Sequence, residues 1–375
     1  MIEYVEIRAA ATREIIGIID TAKSIIWRSC FYDTGDFEIY APCNPQTVNL
    51  LVEDNFVTRP NDRNIGVIER IEITFDAIDG RMIIATGRMA KSILDRRIIY
   101  RLTDNSVSPT ILSGNVETAA RSVVSANAID CEFDTDRNID YLVLGAHSGS
   151  TKIIVDADGD AAQKQVTYNN LLSWTDEFLH EYEMCAYIAL NDSLNLEYLI
   201  CEGVDRSVDN TDGNDPVIFS QDFDNLLSSD YVYDKEKYKN MALIGGEGEG
   251  TARFCSVLIP ALTGIDRREI FVNASTSSKT YKDDQGDEQT LTDEEYNSQL
   301  QLIGAQTLTN SQIEQRFDGT INVNNSVYKY RTNFNLGDLV TVQDNAIGLY
   351  INTRIIEVIE TQDSNGYNIT ANYGL

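Results

Sequence analysis

Leu336-Gly337-Asp338-Leu339-Val340-Thr341-Val342, followed by Gly348, the run Ile351 to Ile359, Gly366-Tyr367 and Gly374, decides the fold of this chain. Alternating β-branched residues broken by glycine at these intervals predict three short antiparallel strands joined by tight turns. No catalytic motif lies among them, and the pattern predicts the closing strands of a β-barrel. Glycine at 337 can adopt a positive backbone angle at the turn, and Asp338 can bond a turn amide. Val340, Val342, Ile355 and Ile359, at period-two positions, are expected to face the barrel interior or a neighbouring subunit.

Working outward, residues 1–90 read as one strand after another. The strands run over Ile15 to Ile19, Ser24 to Cys30, Phe37 to Tyr40, Asn55 to Thr58, Ile65 to Phe75 and Met82 to Thr86. Turn residues at Asp33-Thr34-Gly35, Pro42, Pro60-Asn61-Asp62 and Asp79-Gly80 bound them, the last suiting a type I′ hairpin. After Arg88 the period changes. Ala90 to Ile99, Asn115 to Asn127 and Thr167 to His180 predict helices, the last capped by Thr167 or Asn169. Strands at Glu183 to Leu190 and Leu194 to Cys201 complete an α/β insertion.

The aspartate-rich stretch from Asp205 to Asp234 reads as a loop or linker. Strand character returns at Tyr238 to Ile244, breaks at Gly245-Gly246-Glu247-Gly248-Glu249-Gly250, and resumes at Arg253 to Ile259 and Glu269 to Val272. Polar residues 275–290 predict a mobile loop. Thr292 with Glu295 three residues on is a capping box opening a helix to Leu308. The chain thus divides into a first β-barrel domain (1–95), an inserted α/β domain (96–230), strands of a second barrel domain (231–290), a helix (291–314) and the terminal barrel strands (315–375). The fold class is mainly β with an α+β insertion.

Composition narrows the function. At 375 residues, with 42% hydrophobic content and 19 tyrosines, the chain can bury a large core, and β structure is favoured. A net charge of −29 disfavours binding to nucleic-acid phosphates or anionic lipid. The acidity reads first as solubility, and second as a surface past which nucleic acid slides. Cys30, Cys43, Cys131, Cys185, Cys201 and Cys255 form no C-x-x-C pair and imply neither a zinc site nor a disulfide framework. The amino terminus lacks the features of a signal peptide, and no window is long and apolar enough to span a membrane, so synthesis in a reducing cytoplasm is expected.

Candidate chemistry is sparse. His147 and His180 are the only histidines, and His180 reads as a helix terminus whose charge suits the dipole. Asp156-Ala157-Asp158-Gly159-Asp160 lacks the glycine and glutamate positions of a calcium loop, and it and Asp283-Asp284-Gln285-Gly286-Asp287-Glu288 read as solvated turns. Glu247 and Glu249, two apart on a strand, would be spaced like a glycosidase pair, but the flanking glycines favour a flexible break. No catalytic, cofactor or metal residue is assigned.

The passage Tyr238 to Arg253, with its strand, glycine break and arginine, resembles the central part of siphovirus tail-tip or baseplate hub proteins of the ReqiPepy type. Gly264-Ile265-Asp266-Arg267-Arg268-Glu269-Ile270-Phe271-Val272 resembles the family's next strand. The helix with Leu291, Tyr296, Leu300 and Gly304, and the terminal stretch from Tyr330 through Gly337-Asp338, follow in the family's order. Gly35-Asp36-Phe37-Glu38-Ile39 after Trp27 extends the likeness more loosely to residues 1–100, while 100–230 matches no quotable motif. The resemblance implies a structural hub: two tube-type barrels per subunit, three subunits forming a pseudo-sixfold ring that continues the tail tube of the virion. Implied partners are two further copies, the distal tail or tail tube protein, the tape measure protein and a central spike or fibre, with DNA only as cargo and no stable membrane insertion. Gly245, Gly246, Arg253, Gly337 and Asp338 are the turn and assembly candidates it points to. The enzymatic extensions of some longer members are expected to be missing, since the sequence stops at Leu375. The alternatives are a tail-associated cell-wall hydrolase and a host-surface carbohydrate-binding β protein, the latter using Trp27, Trp174 and tyrosines as stacking surfaces.

Overall fold

The computed structural model describes residues 4–60, 62–78, 80–103, 106–156, 159–258, 262–282, 287–322 and 327–374. Among these the architecture is mainly β, organised around a ten-stranded sheet. Strands Ser24–Cys30 and Asp36–Pro42 alternate strictly between buried and half-buried residues, as a strand with one face on a core must. They pair antiparallel with each other, and the Gly80–Arg88 strand and the edge strand Arg70–Asp76 follow. A separate four-stranded sheet of Ile15–Ile19, Val5–Arg8, Phe56–Thr58 and Ile65–Val67 lies against them. Val5, Ile7, Trp27, Phe37, Ile39, Val57 and Ile83 interlock between the two sheets.

The Leu349–Asp363 strand joins the two ends of the chain. Arg354 is registered with both Leu339 and Gly374, so the Leu339–Asp344 and Gly366–Gly374 strands lie on opposite edges of it. Beyond residue 356 the place of Leu339–Asp344 is taken by Ser24–Cys30, which pairs with residues 357–362. The amino-terminal strands are thereby hydrogen-bonded directly to the carboxyl-terminal ones. Leu226–Asp234 and Glu314–Ile321 continue the sheet beyond Gly366–Gly374. These strands curve round one core of Phe219, Phe317, Phe334, Val340, Ile355 and Tyr373.

The middle of the chain has its own core. Helices Val116–Val124 and Leu171–His180 pack on a three-stranded sheet of Leu142–Leu144, Leu196–Cys201 and Cys185–Leu190. Phe56, Ile65 and Val67 from the four-stranded sheet join this core. A fourth core lies under the Asp293–Thr309 helix, where Tyr296 and Leu300 pack on Ala242 and Ile244. The capping box is present: Thr292 Oγ1 accepts from the Glu295 amide at 3.2 Å and the Thr292 amide donates to Glu295 Oε2 at 2.8 Å.

Several expectations are corrected. Residues 205–234 are not a linker, since they contain the strands Ile218–Ser220 and Leu226–Asp234. The supposed loop 275–290 includes a short antiparallel pair, Thr280–Lys282 with Glu288–Thr290, while 283–286 lie outside the described residues. Ile65 to Phe75 is two strands in two sheets, Ile65–Val67 and Arg70–Asp76. Ala90–Arg96 is 3-10 helix, and the helix Val116–Val124 ends in a π turn over Ser125–Ile129. Asn170, rather than Thr167 or Asn169, caps the Leu171–His180 helix by accepting from the Ser173 amide at 3.1 Å. The middle one of the three terminal strands is long, at 15 residues.

Val340, Val342 and Ile355 are fully buried as period two requires, yet Ile359 is only half-buried and Val358 takes the core position. A bulge explains the change. Ile355 faces Tyr373 and Glu357 faces Asn372, so Ile356 is an extra residue and the alternation inverts after it. Asp79 lies outside the described residues, whereas Gly80 has the positive φ of 78° expected of the hairpin.

Candidate functional site at the Asp338 junction

Gly337 occupies a turn that glycine alone fits well. Its φ is 90°, and a Cβ there would overlap the ring of Phe31. Its amide donates to Ile355 O at 2.8 Å, and its own carbonyl accepts from Arg354 Nη1 at 2.6 Å. Gly203 packs so closely against that carbonyl that it too has no room for a side chain. The turn therefore holds together the end of the α/β region, the Ser24–Cys30 strand end and the terminal strands.

Asp338 is 1% exposed and completes the junction. Its carboxylate accepts from the Val204 amide at 3.0 Å, from Arg206 Nε at 3.0 Å and from the Asn335 amide at 2.8 Å. The Asn335 contact is the turn bond its sequence position suggests. The contacts to 204 and 206 come from more than a hundred residues away and carry the long-range part of the fit. Backbone bonds from Leu339 to Val204 O, 3.0 Å, and from Arg206 to Leu339 O, 2.7 Å, run alongside.

Beside this turn lies a cavity of about 930 Å³, lined by residues of all three neighbouring regions, among them Phe31, Lys91, Ser148, Cys185, Cys201 and Asp338. Lys91 is buried and paired with Asp176 at 2.8 Å, with its ammonium also donating to Asp33 O at 3.0 Å. Burial pushes the Asp176 carboxyl up to about 6 against the pull of Lys91.

At the rim sits a four-charge cluster. Arg59 donates to Asp62 at 2.5 Å and to Glu360 at 2.7 Å, and Arg331 donates to the same two oxygens at 2.8 and 3.1 Å. Tyr367 Oη donates to the other Glu360 oxygen at 2.5 Å, and the Arg59 guanidinium lies over the Trp27 ring at 4.6 Å. Two cations balance two anions, so the cluster is neutral as a unit, and its hydrogen bonds offset the cost of removing it from water. Burial alone would raise the Asp62 carboxyl, but Arg59 and Arg331 outweigh it and hold the carboxyl below its ordinary 3.8. The corresponding stability is fully present above pH 3.8 and is lost as pH falls through the lower folded value. The melting temperature of the wild type, followed from about pH 5 to pH 2, is therefore expected to fall more steeply than that of Asp62→Asn. Parallel curves would show that Asp62 does not carry this dependence.

The other sequence candidates sit apart from the junction. Arg253 Nε donates to Gly246 O at 3.1 Å and Arg253 Nη2 to Gly245 O at 2.8 Å, so the arginine closes the glycine break onto its own strand. A side chain at Gly246 would meet Tyr296, whose hydroxyl donates to Ser277 O at 2.6 Å and accepts from the Glu247 amide at 2.8 Å. The strand ends at Gly245, so Glu247 and Glu249 are turn residues and not neighbours on a strand face. Glu247 Oε2 is committed to the Lys279 amide at 3.1 Å.

His180 ends its helix but stacks on Tyr32 with ring centroids 3.9 Å apart, and burial lowers its pKa. It is thus held toward the neutral form, not as a charge serving the helix dipole. His147 is exposed and lies 3.4 Å from Glu117, which also accepts from the Ser148 amide and hydroxyl. Asp156 and Asp160 bond each other across a turn containing Gly159 at φ 87°, with 157 and 158 outside the described residues. Among the described residues no cluster of three or more His, Cys, Asp or Glu side chains is arranged to hold a metal, and no helix is long and apolar enough to cross a membrane.

Comparison with known proteins adds the following. The family described as siphovirus ReqiPepy6 Gp37-like protein matches residues 4–374. Among solved structures, the tail protein from Neisseria meningitidis MC58 superposes with a TM-score of 0.54 at 12% identity, covering 99% of this chain and 96% of that one. The 43 kDa tail protein of prophage MuSo2 from Shewanella oneidensis gives 0.53 at 11% identity, covering 99% and 98%. At such identities the likeness is one of fold. No curated protein matches the sequence.

Proposed function

The chain belongs to the siphovirus ReqiPepy6 Gp37-like family, whose members are structural phage tail proteins and not enzymes, and from that premise we propose that it is the trimeric hub of the tail tip. As a tail protein it is a virion component. In this reading residues 1–95 contribute one tube-type barrel and the strands Ile218–Ser220, Leu226–Asp234, Glu314–Ile321 and 339–374 the other, with the small sheet of residues 241–273 under the Asp293–Thr309 helix and the α/β region from residue 96 as additions on the outside. Three copies would set six tube domains around a channel. The ring would take the tail tube or distal tail protein above, the tape measure protein within and a central spike or fibre below. A net charge of −29 suits a conduit that DNA crosses as cargo without being held.

One observation carries this proposal: among the described residues the strands at the two ends of the main path of the ten-stranded sheet, Arg70–Asp76 and Leu226–Asp234, each have a neighbouring strand on one side only. An open edge presents a row of unsatisfied backbone groups that pairing in a closed ring would cover. Both edges carry apolar side chains facing water. On the first, Ile73 is 51% and Phe75 75% exposed, with Ile78 beyond them at 93%; on the second, Leu227 and Tyr233 are exposed.

The test is mass in solution together with negative-stain imaging. Wild type is expected as a trimer with three lobes and a central hole. Phe75→Lys, at an exposed position, should leave the unfolding free energy of the subunit within about 0.5 kcal/mol of wild type. It should weaken assembly by about 10–100-fold, the equivalent of losing one aromatic contact. A wild-type monomer at high micromolar concentration would overturn the hub assignment. A trimer unaffected by Phe75→Lys would show that a different surface makes the contact.

A further inference from the structure

Cys185 and Cys201 stand directly opposite each other in the antiparallel pair Cys185–Leu190 with Leu196–Cys201, and their Sγ atoms are 3.0 Å apart. Opposed residues in an antiparallel pair have Cα separations that fall inside the range a disulfide bridges, so no backbone movement is needed to join them. Both residues line the cavity beside Asp338, Cys201 the more accessible and Cys185 buried at 6% exposure. Nothing in the hub assignment uses them.

We propose that Cys185 and Cys201 form a reversible dithiol–disulfide site that a small disulfide, such as oxidised glutathione, closes through the cavity. The Cys201 thiolate attacks one sulfur of the small disulfide, forming a mixed disulfide and releasing one thiolate of the reagent. The Cys185 thiolate then attacks Cys201 Sγ, forming the intramolecular bond and expelling the second. Two protein thiols are oxidised, one small disulfide is reduced to two thiols, and the two protein protons pass to the two departing thiolates. The order follows from position and surroundings. Cys201 is the more accessible partner, and its hydrogen bond with Cys185 lowers its pKa against the effect of burial, with further help from Lys91, the Gly203 amide and Arg354. Burial raises Cys185, so it is suited to act second, once the mixed disulfide is beside it. Cys30 lines the same cavity, but burial pushes its thiol up to about 12 and its sulfur lies against Glu357, which makes it a poor competitor.

The sequence supplies a convenient assay, because no lysine or arginine lies between Lys164 and Arg206 and trypsin releases both cysteines in one peptide, residues 165–206. The intact folded protein is incubated with oxidised glutathione, blocked with iodoacetamide, digested and weighed. The peptide is expected to be two hydrogens lighter and to carry no alkyl group, with cleavage after Glu197 leaving its halves linked. After dithiothreitol it should take up two alkyl groups. The Cys185→Ser protein should retain a stable glutathione adduct on Cys201, trapping the first step. Two alkyl groups on the wild-type peptide after glutathione treatment, or a glutathione adduct there that never closes, would overturn the proposal without recourse to any variant.

Discussion

Gly337→Val is expected to destabilise the protein by about 2–5 kcal/mol, combining backbone strain at a positive φ with overlap against the Phe31 ring. The sequence accounts for the first part only: a turn at the start of a strand needs a left-handed residue, and valine resists it. The second part comes from the far end of the chain. The valine side chain would enter the space of the Phe31 ring, and its backbone cannot retreat because the Gly203 backbone presses on the Gly337 carbonyl. Gly337 also carries the bonds to Ile355 and Arg354 that align the terminal strands. Loss of ring assembly should therefore precede loss of strand content as temperature rises, with the melting temperature lowered by about 3–6 °C. Circular dichroism melts paired with light scattering decide it. Wild-type melting and normal assembly of the variant would remove the junction from any account of stability.

That contrast between local and distant causes runs through the whole chain. The terminal strands, the capping box at Thr292 and Glu295 and the alternation of Ser24–Cys30 are legible in the sequence because their signals are local: glycine at a turn, a side chain three residues from its amide, one buried face. Leu226–Asp234 reads as a linker for the opposite reason. It is an edge strand whose polar residues face water, so no alternation is imposed on it, and its pairing partner Glu314–Ile321 lies some eighty residues on. Ile359 fails as a core position because one bulge residue, Ile356, inverts the alternation, and a bulge has no mark in a run of β-branched residues. Asp338 is readable as a turn acceptor, but its hold on Val204 and Arg206 depends on a stretch that looks unstructured in isolation. The facing of Cys185 with Cys201 follows only once the hairpin register is known, since sixteen residues of separation carry no motif.

Glu360→Ala is expected to cost about 3–5 kcal/mol, because it removes one member of a balanced cluster and leaves the buried Arg59 with one of its two carboxylates gone. Glu360 is 5% exposed and Arg59 is buried beside it, so no solvent is at hand to compensate Arg59 once its acceptor is gone, whereas Arg331 is about a third exposed and keeps contact with water. Asp62 alone cannot neutralise two guanidinium groups. Tyr367 loses the acceptor of its hydroxyl as well. The loss is also topological. Glu360 belongs to the long strand shared by both ends of the chain, Arg59 and Asp62 follow the Phe56–Thr58 strand of the four-stranded sheet, and Arg331 precedes the terminal strands, so the cluster ties three segments that are distant in sequence. Arg59→Leu with Glu360→Leu together should recover part of the loss, since replacing both partners of a buried pair by packed apolar groups avoids the stranded charge. A denaturant titration of the three proteins measures this. Equal midpoints for wild type and Glu360→Ala would mean that water reaches the cluster and that its charges hold nothing together. A double variant less stable than Glu360→Ala would place the value of the cluster in the ion pairs themselves and not in the avoidance of an unpaired charge.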